Sequence, residues 1–148
     1  MKIAALADIH GNLPALEAVL DHLAAWNPDQ VYVLGDMVNR GPRSAACMAV
    51  IRSQIRKDNW HVIRGNHENY VLEYDRPSAP QEDPRAEILQ YVRWTYQSLS
   101  RDDLDMLKKL PEQAAFHLPD SQLVHVLHGS HAGIRKGIYP QTTPERMA

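Results

Sequence analysis

Three short apolar segments, separated by two longer segments with helical periodicity, most constrain the fold of this 148-residue chain. Each apolar segment has the length of a buried strand, and the three are Ile3 to Ala7, Val31 to Leu34 and Trp60 to Ile63. The first intervening helix is predicted to begin at Pro14 and to end at Asn27, and the second to run from Pro42 to about Arg56. This alternation predicts a β-α-β-α-β unit with parallel strands and right-handed crossovers.

A polar cluster directly follows each of the three predicted strands. The clusters are Asp8-Ile9-His10-Gly11-Asn12, the segment from Gly35-Asp36 to Gly41-Pro42, and Arg64-Gly65-Asn66-His67-Glu68. In open parallel sheets, ligands bind beyond the carboxyl ends of the strands. We therefore expect Asp8, Asp36 and Asn66 to converge on one edge of the sheet.

The second half of the chain is predicted to hold two helices and a hairpin. A surface loop from Asp75 to Pro84 precedes a helix from Ala86 to Leu99. Ser100 and Asp103 have the spacing of a capping box, which predicts a helix to about Leu110. Two strands, Gln113 to Leu118 and Leu123 to Leu127, would then deliver His128 at the end of the second.

Composition narrows the class of protein. The net charge is −2 with no long basic run, which argues against general nucleic-acid binding. The single cysteine, Cys47, excludes an internal disulfide and is predicted to be a buried helical thiol. No segment suggests a signal peptide or a membrane span, so we expect one cytoplasmic domain over residues 1–148 without membrane partners.

The residue types in the clusters suit a pair of divalent metal ions. Asp36, in the middle cluster, is the predicted bridge between the two metals. Asp8 and His10 would share one metal, since residues i and i+2 of an extended segment point the same way. Asn66 and His128 would bind the second. Such a pair activates a water molecule for in-line attack at phosphorus.

Four other residues in or near the clusters have further predicted roles. His67 could protonate the leaving alkoxide as a general acid. Arg40 could hold phosphate oxygens or form a surface salt bridge. His131 is interpreted as a loop histidine, with a makeshift metal ligand as the alternative. His61 is predicted to be buried against a polar partner within the third strand.

The order Asp-x-His, Gly-Asp, Gly-Asn-His-Glu and His-Gly resembles the calcineurin-like metallophosphoesterase superfamily. The middle clusters are similar to the phosphoprotein phosphatase and diadenosine tetraphosphatase branch, and the first and last to small bacterial phosphodiesterases. The resemblance implies an α/β fold, a β-sandwich flanked by helices, and two Mn, Fe or Zn ions. It also implies five ligands and, in His67, a general acid; the ligands are Asp8, His10, Asp36, Asn66 and His128.

The chain departs from the family pattern at its C-terminal end, where the usual Gly-His-x-His element is missing. The resemblance therefore implies a domain truncated there, with an apolar sheet face and a strand edge exposed. Three explanations stay open: a fragment of a longer enzyme, a homodimer that covers the exposed surface, or a non-catalytic metal- or nucleotide-binding module. The expected activity is hydrolysis of a phosphomonoester or phosphodiester, on a small molecule, a nucleotide or a phosphoprotein.

Overall fold

The computed structural model describes residues 1–57, 59–74 and 86–147 of the chain. Its elements are, in chain order, β1 (Ile3–Leu6), α1 (Leu13–Trp26), β2 (Gln30–Val33), α2 (Ser44–Ile55), β3 (Trp60–Val62), α3 (Asn66–Glu73), α4 (Ala86–Ser98), α5 (Arg101–Lys109), β4 (Gln113–His117), β5 (Leu123–Leu127) and α6 (Pro144–Met147). The predicted loop from Asp75 to Pro84 lies outside the described residues.

The first three strands form a parallel sheet in the order β1-β2-β3, which confirms the predicted β-α-β-α-β unit. Ala4 lies opposite Val31, and Val31 lies opposite Trp60. All three strands therefore end at the same edge. The cluster after β2 lies between the other two because β2 is the central strand.

Local signals at its two ends position α1. The side chain of Asn12 caps the helix by accepting a hydrogen bond of 3.2 Å from the backbone N–H of Ala15. At the other end, Asn27 adopts a left-handed conformation with φ of 52°, and its N–H donates to the carbonyl of Leu23. The helix thus starts immediately after the first polar cluster.

A helical layer covers one face of the parallel sheet. Val33 and Val62 point into this layer, where they join a buried apolar cluster with side chains from helices α1 to α5. Met48 and Ile51 of α2 are fully buried there, and so is the thiol of Cys47, as predicted. This core fixes the sheet and helices that carry the polar clusters.

The antiparallel hairpin of β4 and β5 covers the opposite face. Val126 packs against Tyr32 and Ile63, and Phe116 stacks on Tyr32 with ring centroids 4.8 Å apart. The chain is thus an α/β sandwich flanked by helices, as expected. The prediction that His61 is buried is wrong: it lies on β3 at the sheet edge, stacked on Tyr32, and is exposed to solvent.

Within the described ranges, β1 pairs only with β2, so its outer edge is unpaired. The face of the hairpin turned away from the parallel sheet carries exposed residues of mixed polarity, including Ala115, His117, Leu123 and His125. The strand edge is exposed as expected, whereas this outer face is not uniformly apolar. No helix among the described residues is long and apolar enough to cross a membrane.

Helix α3 was not predicted from the sequence. Its buried side chains are His67, Glu68 and Val71, so two of the three positions that face the interior are polar. Hydrophobic periodicity cannot detect such a helix. The available signal was Glu68 itself, three residues after Gly65, at the position where a carboxylate satisfies the free N–H groups of a helix start.

Candidate active site

A cleft of about 360 Å³ opens at the carboxyl edge of the parallel sheet. All seven residues predicted from the sequence line it, although they come from four separate segments: Asp8, His10, Asp36, Arg40, Asn66, His67 and His128. The first five follow β1, β2 and β3, His67 lies in the first turn of α3, and His128 follows β5. The predicted convergence is therefore observed.

The backbone of the first two clusters is left-handed rather than extended. Asp8 has φ of 56°, His10 of 47° and Asp36 of 55°. The two side chains of the first cluster do share one side, with Asp8 Oδ1 3.4 Å from His10 Nε2, but the extended geometry on which that prediction rested is wrong. Backbone hydrogen bonds hold this conformation, because the N–H groups of His10 and Gly11 donate to the carbonyls of Asp36 and Met37.

Asp36 occupies the centre of the cleft. Its Oδ2 lies 3.7 Å from His10 Nε2 on one side and 3.5 Å from His128 Nε2 on the other. Its other oxygen, Oδ1, accepts a hydrogen bond of 2.9 Å from the backbone N–H of His67. His128 Nε2 in turn lies 2.9 Å from Asn66 Oδ1. Asp36 thus separates two groups of ligand atoms.

The hydrogen bonds of His10 and His128 determine which ring nitrogen carries the proton. His10 Nδ1 lies 3.2 Å from the carbonyl oxygen of Val38, and His128 Nδ1 lies 2.7 Å from that of Leu34. A carbonyl oxygen can only accept, so Nδ1 is the donor in both rings. In the neutral imidazole, Nε2 therefore presents a lone pair to the cleft, as a metal-binding histidine does.

With these tautomers, each Nε2 faces oxygen atoms that also carry lone pairs, and no hydrogen lies between them. His128 Nε2 faces Asn66 Oδ1 and Asp36 Oδ2, and His10 Nε2 faces two carboxylates. Ligands about 2.0–2.2 Å from a shared ion lie roughly 3 Å from one another. The observed separations of 2.9 to 3.7 Å between these atoms suit that arrangement, so the residues present fit divalent metal ions.

His67 is buried beside this group. Its ring lies edge-on to His10 at 4.6 Å, and its Nδ1 lies 3.0 Å from the side-chain nitrogen of Asn39. The pKa of His67 is lowered to about 4, mainly by burial and also by His10 and Arg40, while Asp36 and Asp8 oppose the change. His10, Asp36 and His67 can each bring a ligand atom within 4.8 Å of the others. Proximity alone therefore does not decide whether His67 binds metal.

Glu68 supports the site from below and was missed as a functional residue. Its carboxylate is fully buried and accepts hydrogen bonds of 2.7 to 3.2 Å from the backbone N–H groups of four residues: Asp36, Met37, Val38 and Gly65. Burial raises the pKa of Glu68, as does Asp36, while the N–H donors lower it. This single side chain ties the loop after β2 to the start of α3.

The remaining two candidates lie at different distances from the cleft. Arg40 is exposed, lines the cleft and has a left-handed backbone with φ of 64°. His131 is also exposed, but its ring contacts His125 at 5.5 Å, and it is not among the residues that line the cleft. Its interpretation as a loop histidine agrees with this position.

Comparison with known proteins identifies the family. The calcineurin-like phosphoesterase family model matches residues 1–146, so the chain belongs to that family. It is 32% identical, over its full length, to half of a symmetrical bis(5'-nucleosyl)-tetraphosphatase from Paracidovorax citrulli. Over 45 residues, 30% of this chain and 24% of the relative, it is 47% identical to phosphodiesterase YfcE of Escherichia coli.

Solved structures agree on the fold. A hypothetical protein from Pyrococcus horikoshii superimposes with a TM-score of 0.82 at 21% identity, covering 98% of this chain and 62% of that one. The tetraphosphatase relatives that this chain matches are longer, and the matched part is 42% of one and 50% of another. The chain thus spans about half the length of these curated relatives.

Proposed function

We propose that this chain carries the metal centre of a phosphoesterase that hydrolyses phosphomonoesters or phosphodiesters with two divalent ions. The observation that carries the proposal is the position of Asp36 Oδ2 between His10 Nε2 and His128 Nε2, at 3.7 and 3.5 Å. Both rings direct a lone pair to the same carboxylate. Membership of the calcineurin-like phosphoesterase family supports the reaction class.

The proposed ligands divide into two groups around Asp36. Asp8 and His10 would hold one ion, Asn66 and His128 the other, and the carboxylate of Asp36 would contact both. When bound, the ions would supply positive charge for the phosphate oxygens and would lower the pKa of an attacking water. Mn, Fe and Zn ions all accept this set of imidazole, carboxylate and amide ligands.

The residues that face the substrate are His67 and Arg40. His67, one residue after a proposed ligand, would donate a proton to the leaving oxygen. Arg40 extends from the loop after β2 at the exposed side of the cleft, where its guanidinium could bind two phosphate oxygens. A short cleft edged by one arginine suits a phosphate group whose remaining parts lie in solvent.

A nucleoside polyphosphate is the substrate class that the relatives favour. The relative from Paracidovorax citrulli is named a symmetrical bis(5'-nucleosyl)-tetraphosphatase, and the match covers this whole chain. Phosphodiester and phosphoprotein substrates are the other two classes to compare. Release of two nucleoside diphosphates, or of a nucleoside monophosphate and a nucleoside triphosphate, from a dinucleoside tetraphosphate would distinguish this substrate class from simple esters.

The first test is hydrolysis of p-nitrophenyl phosphate and bis-p-nitrophenyl phosphate with and without Mn²⁺. Asp36→Asn is expected to remove most of the metal-dependent turnover, because the amide cannot supply negative charge to two ions. Asp21→Asn, the same change at an exposed position of α1, is the matched control and should retain full activity. Equal activity of both variants would rule out the proposed centre.

The competing function is a metal- or nucleotide-binding module without turnover. It is favoured by the missing Gly-His-x-His element, which leaves five proposed ligands in the cleft. Calorimetric titration with Mn²⁺ and the two ester assays together distinguish the functions. The module would bind metal in an Asp36-dependent manner but would hydrolyse neither ester. A sample that neither binds Mn²⁺ nor hydrolyses either ester would exclude both.

A further inference from the structure

Two aromatic side chains of α4 are exposed to solvent. Tyr91 is 60% exposed and Trp94 48%, and they lie three positions apart, so their side chains are neighbours on the helix surface. The buried side chains of the same helix include Val92, Thr95 and Leu99. Tyr91 and Trp94 therefore form an aromatic patch beside the buried side of α4. Contiguous exposed apolar surface of this kind often marks a binding site.

Thr95 relates the aromatic patch to the cleft. Its Oγ1 donates a hydrogen bond of 3.3 Å to Asn39 Oδ1, which also accepts from the backbone N–H of Arg40 at 3.0 Å. Arg40 is exposed and lines the cleft. Tyr91 precedes Thr95 by four positions, so the two residues lie on one side of the helix and about 6 Å apart along its axis. Tyr91 is thus about one helical turn from the contact between α4 and the loop that carries Arg40.

The direction of α4 follows from a contact at the start of α5. Asp103, in the first turn of α5, forms an ion pair of 3.2 Å with Arg52, which lies about two turns after Ser44 in α2. Ser44 Oγ accepts a hydrogen bond of 3.0 Å from the N–H of Asn39 and so marks the level of the loop at the cleft. The C-terminal end of α4, which leads into α5, therefore points away from the cleft. Its N-terminal half, with Tyr91, extends past the level of Asn39 towards the open side.

The cleft has a place for a phosphate but no stacking partner for a base. Its described lining residues include three histidines and one arginine but no Tyr, Trp or Phe. Nucleobases stack on aromatic side chains with little regard to their identity, because every base has a π-face. The aromatic patch supplies two such rings on the side of the cleft where Arg40 lies. A nucleotide has the matching chemistry, with an anionic end for the cleft and a planar aromatic end for α4.

We propose that the aromatic patch is a stacking site for the base of a nucleotide whose phosphate lies in the cleft, with Tyr91 as the principal ring. The proposal rests on the proposed phosphoesterase function, which places the phosphate. Tyr91 is the better oriented ring, because it lies about 40° from Thr95 around the helix axis and Trp94 about 100°. Neither side chain takes part in bond cleavage. They raise the affinity for nucleotides above that for phosphates without a base.

The first test compares the binding of AMP with that of ribose 5-phosphate, which lacks the base, by calorimetric titration of the full chain with Mn²⁺ present. AMP should bind more tightly by roughly 5–100-fold, as expected for one stacked base. Tyr91→Ala should remove this preference, whereas Tyr91→Phe keeps a ring and should retain it. Trp26→Ala is the control, since Trp26 is also exposed but lies at the opposite edge of the sheet, where its carbonyl accepts from Lys2 just before β1. It should retain the preference for AMP.

A kinetic test compares a dinucleoside tetraphosphate with inorganic tripolyphosphate, which has no base. Tyr91→Ala should lower kcat/KM on the nucleotide relative to tripolyphosphate by roughly 5–100-fold, chiefly through KM. Trp26→Ala should leave the ratio unchanged.

The outcomes separate this proposal from the proposed function. Equal affinity of the wild-type chain for AMP and ribose 5-phosphate would overturn the stacking site and leave the metal centre untouched. Equal weakening of both ligands in Tyr91→Ala would show a merely structural role and would also overturn it. A Tyr91-dependent preference for AMP in a chain that hydrolyses no ester would support the stacking site while the proposed function fails.

Discussion

The apolar core around β2 and β3 and the cleft at their carboxyl ends are held together by different interactions. Below the cleft, Val33, Met48 and Ile51 form a fully buried apolar core that any side chain of similar shape could maintain. At the cleft, non-glycine residues adopt left-handed backbone conformations and buried polar groups fill the interior. The comparison teaches that the core supplies stability, while hydrogen bonds over long sequence distances hold a backbone that is costly by itself.

Of the substitutions at the cleft, that of Glu68 is expected to have the largest effect on stability and on metal binding. Glu68→Ala would leave four buried backbone N–H groups without their acceptor, at about 1–3 kcal/mol for each unsatisfied group. We expect a loss of at least about 3 kcal/mol in the free energy of unfolding, together with weaker Mn²⁺ binding. Urea denaturation and calorimetric titration measure the two quantities.

Ile51→Ala is the control from the core side. It should cost a comparable amount, about 2–5 kcal/mol, through the cavity it creates. Its Mn²⁺ affinity, measured where the variant is folded, should match that of the wild type. If Glu68→Ala unfolds at the urea concentration of the wild type, the idea that one carboxylate supports the cleft is wrong.

Gly65 gives a smaller effect confined to the site. A Cβ at Gly65 would overlap Oδ1 and the backbone nitrogen of Asp36, so Gly65→Ala must displace the central carboxylate. We expect Mn²⁺ affinity to fall by roughly 10–100-fold, as when a partner that orients a ligand is lost. At Gly137 the added Cβ would meet only the exposed side chain of Tyr139, so Gly137→Ala should bind Mn²⁺ normally. Similar affinities in the two variants would contradict the prediction.

The smallest expected effect is that of pH on the buried thiol of Cys47, which reports on the core and not on the cleft. Burial, with a minor contribution from Glu17, raises the pKa of the Cys47 thiol from 9.0 to about 11. The folded protein thus holds this proton more tightly than the unfolded chain, so the stability from this group is complete below about pH 9 and declines as the pH rises towards 11. At pH 8 a disulfide reagent should modify Cys47 only after unfolding in urea, and rapid modification of the native protein would show an accessible thiol.

The sequence was most informative where local patterns report burial. The parallel β-α-β-α-β unit, the capping box at Ser100 and Asp103, and the hairpin before His128 were all predicted and are confirmed. Convergence of Asp8, Asp36 and Asn66 on one edge followed from topology, because parallel strands end at one edge, whereas His128 follows a strand of the separate antiparallel hairpin. Their roles as ligands, acid and phosphate clamp stay predictions.

The sequence was least informative where polar groups replace apolar ones. Helix α3 has no hydrophobic period, since His67 and Glu68 occupy its buried face. His61 has the alternation of a buried strand residue, but it lies on the edge strand β3, stacked on Tyr32, and is exposed. The left-handed backbone of Asp8 and His10 had no signal, because neither residue type requires it.

By itself the sequence determined the β-α-β-α-β order of the first three strands and two helices, the polar clusters at the strand ends and the residue types available for metal binding. Only the tertiary structure decided which hydrogen-bond partners the histidines of the cleft have. The tautomers of His10, His67 and His128 depend on partners 28 to 94 positions away, which are Val38, Asn39 and Leu34. The periodicity of apolar residues in a segment indicates which side of its helix or strand is buried. The direction of a hydrogen bond between distant segments is set only when the folded backbone brings donor and acceptor together.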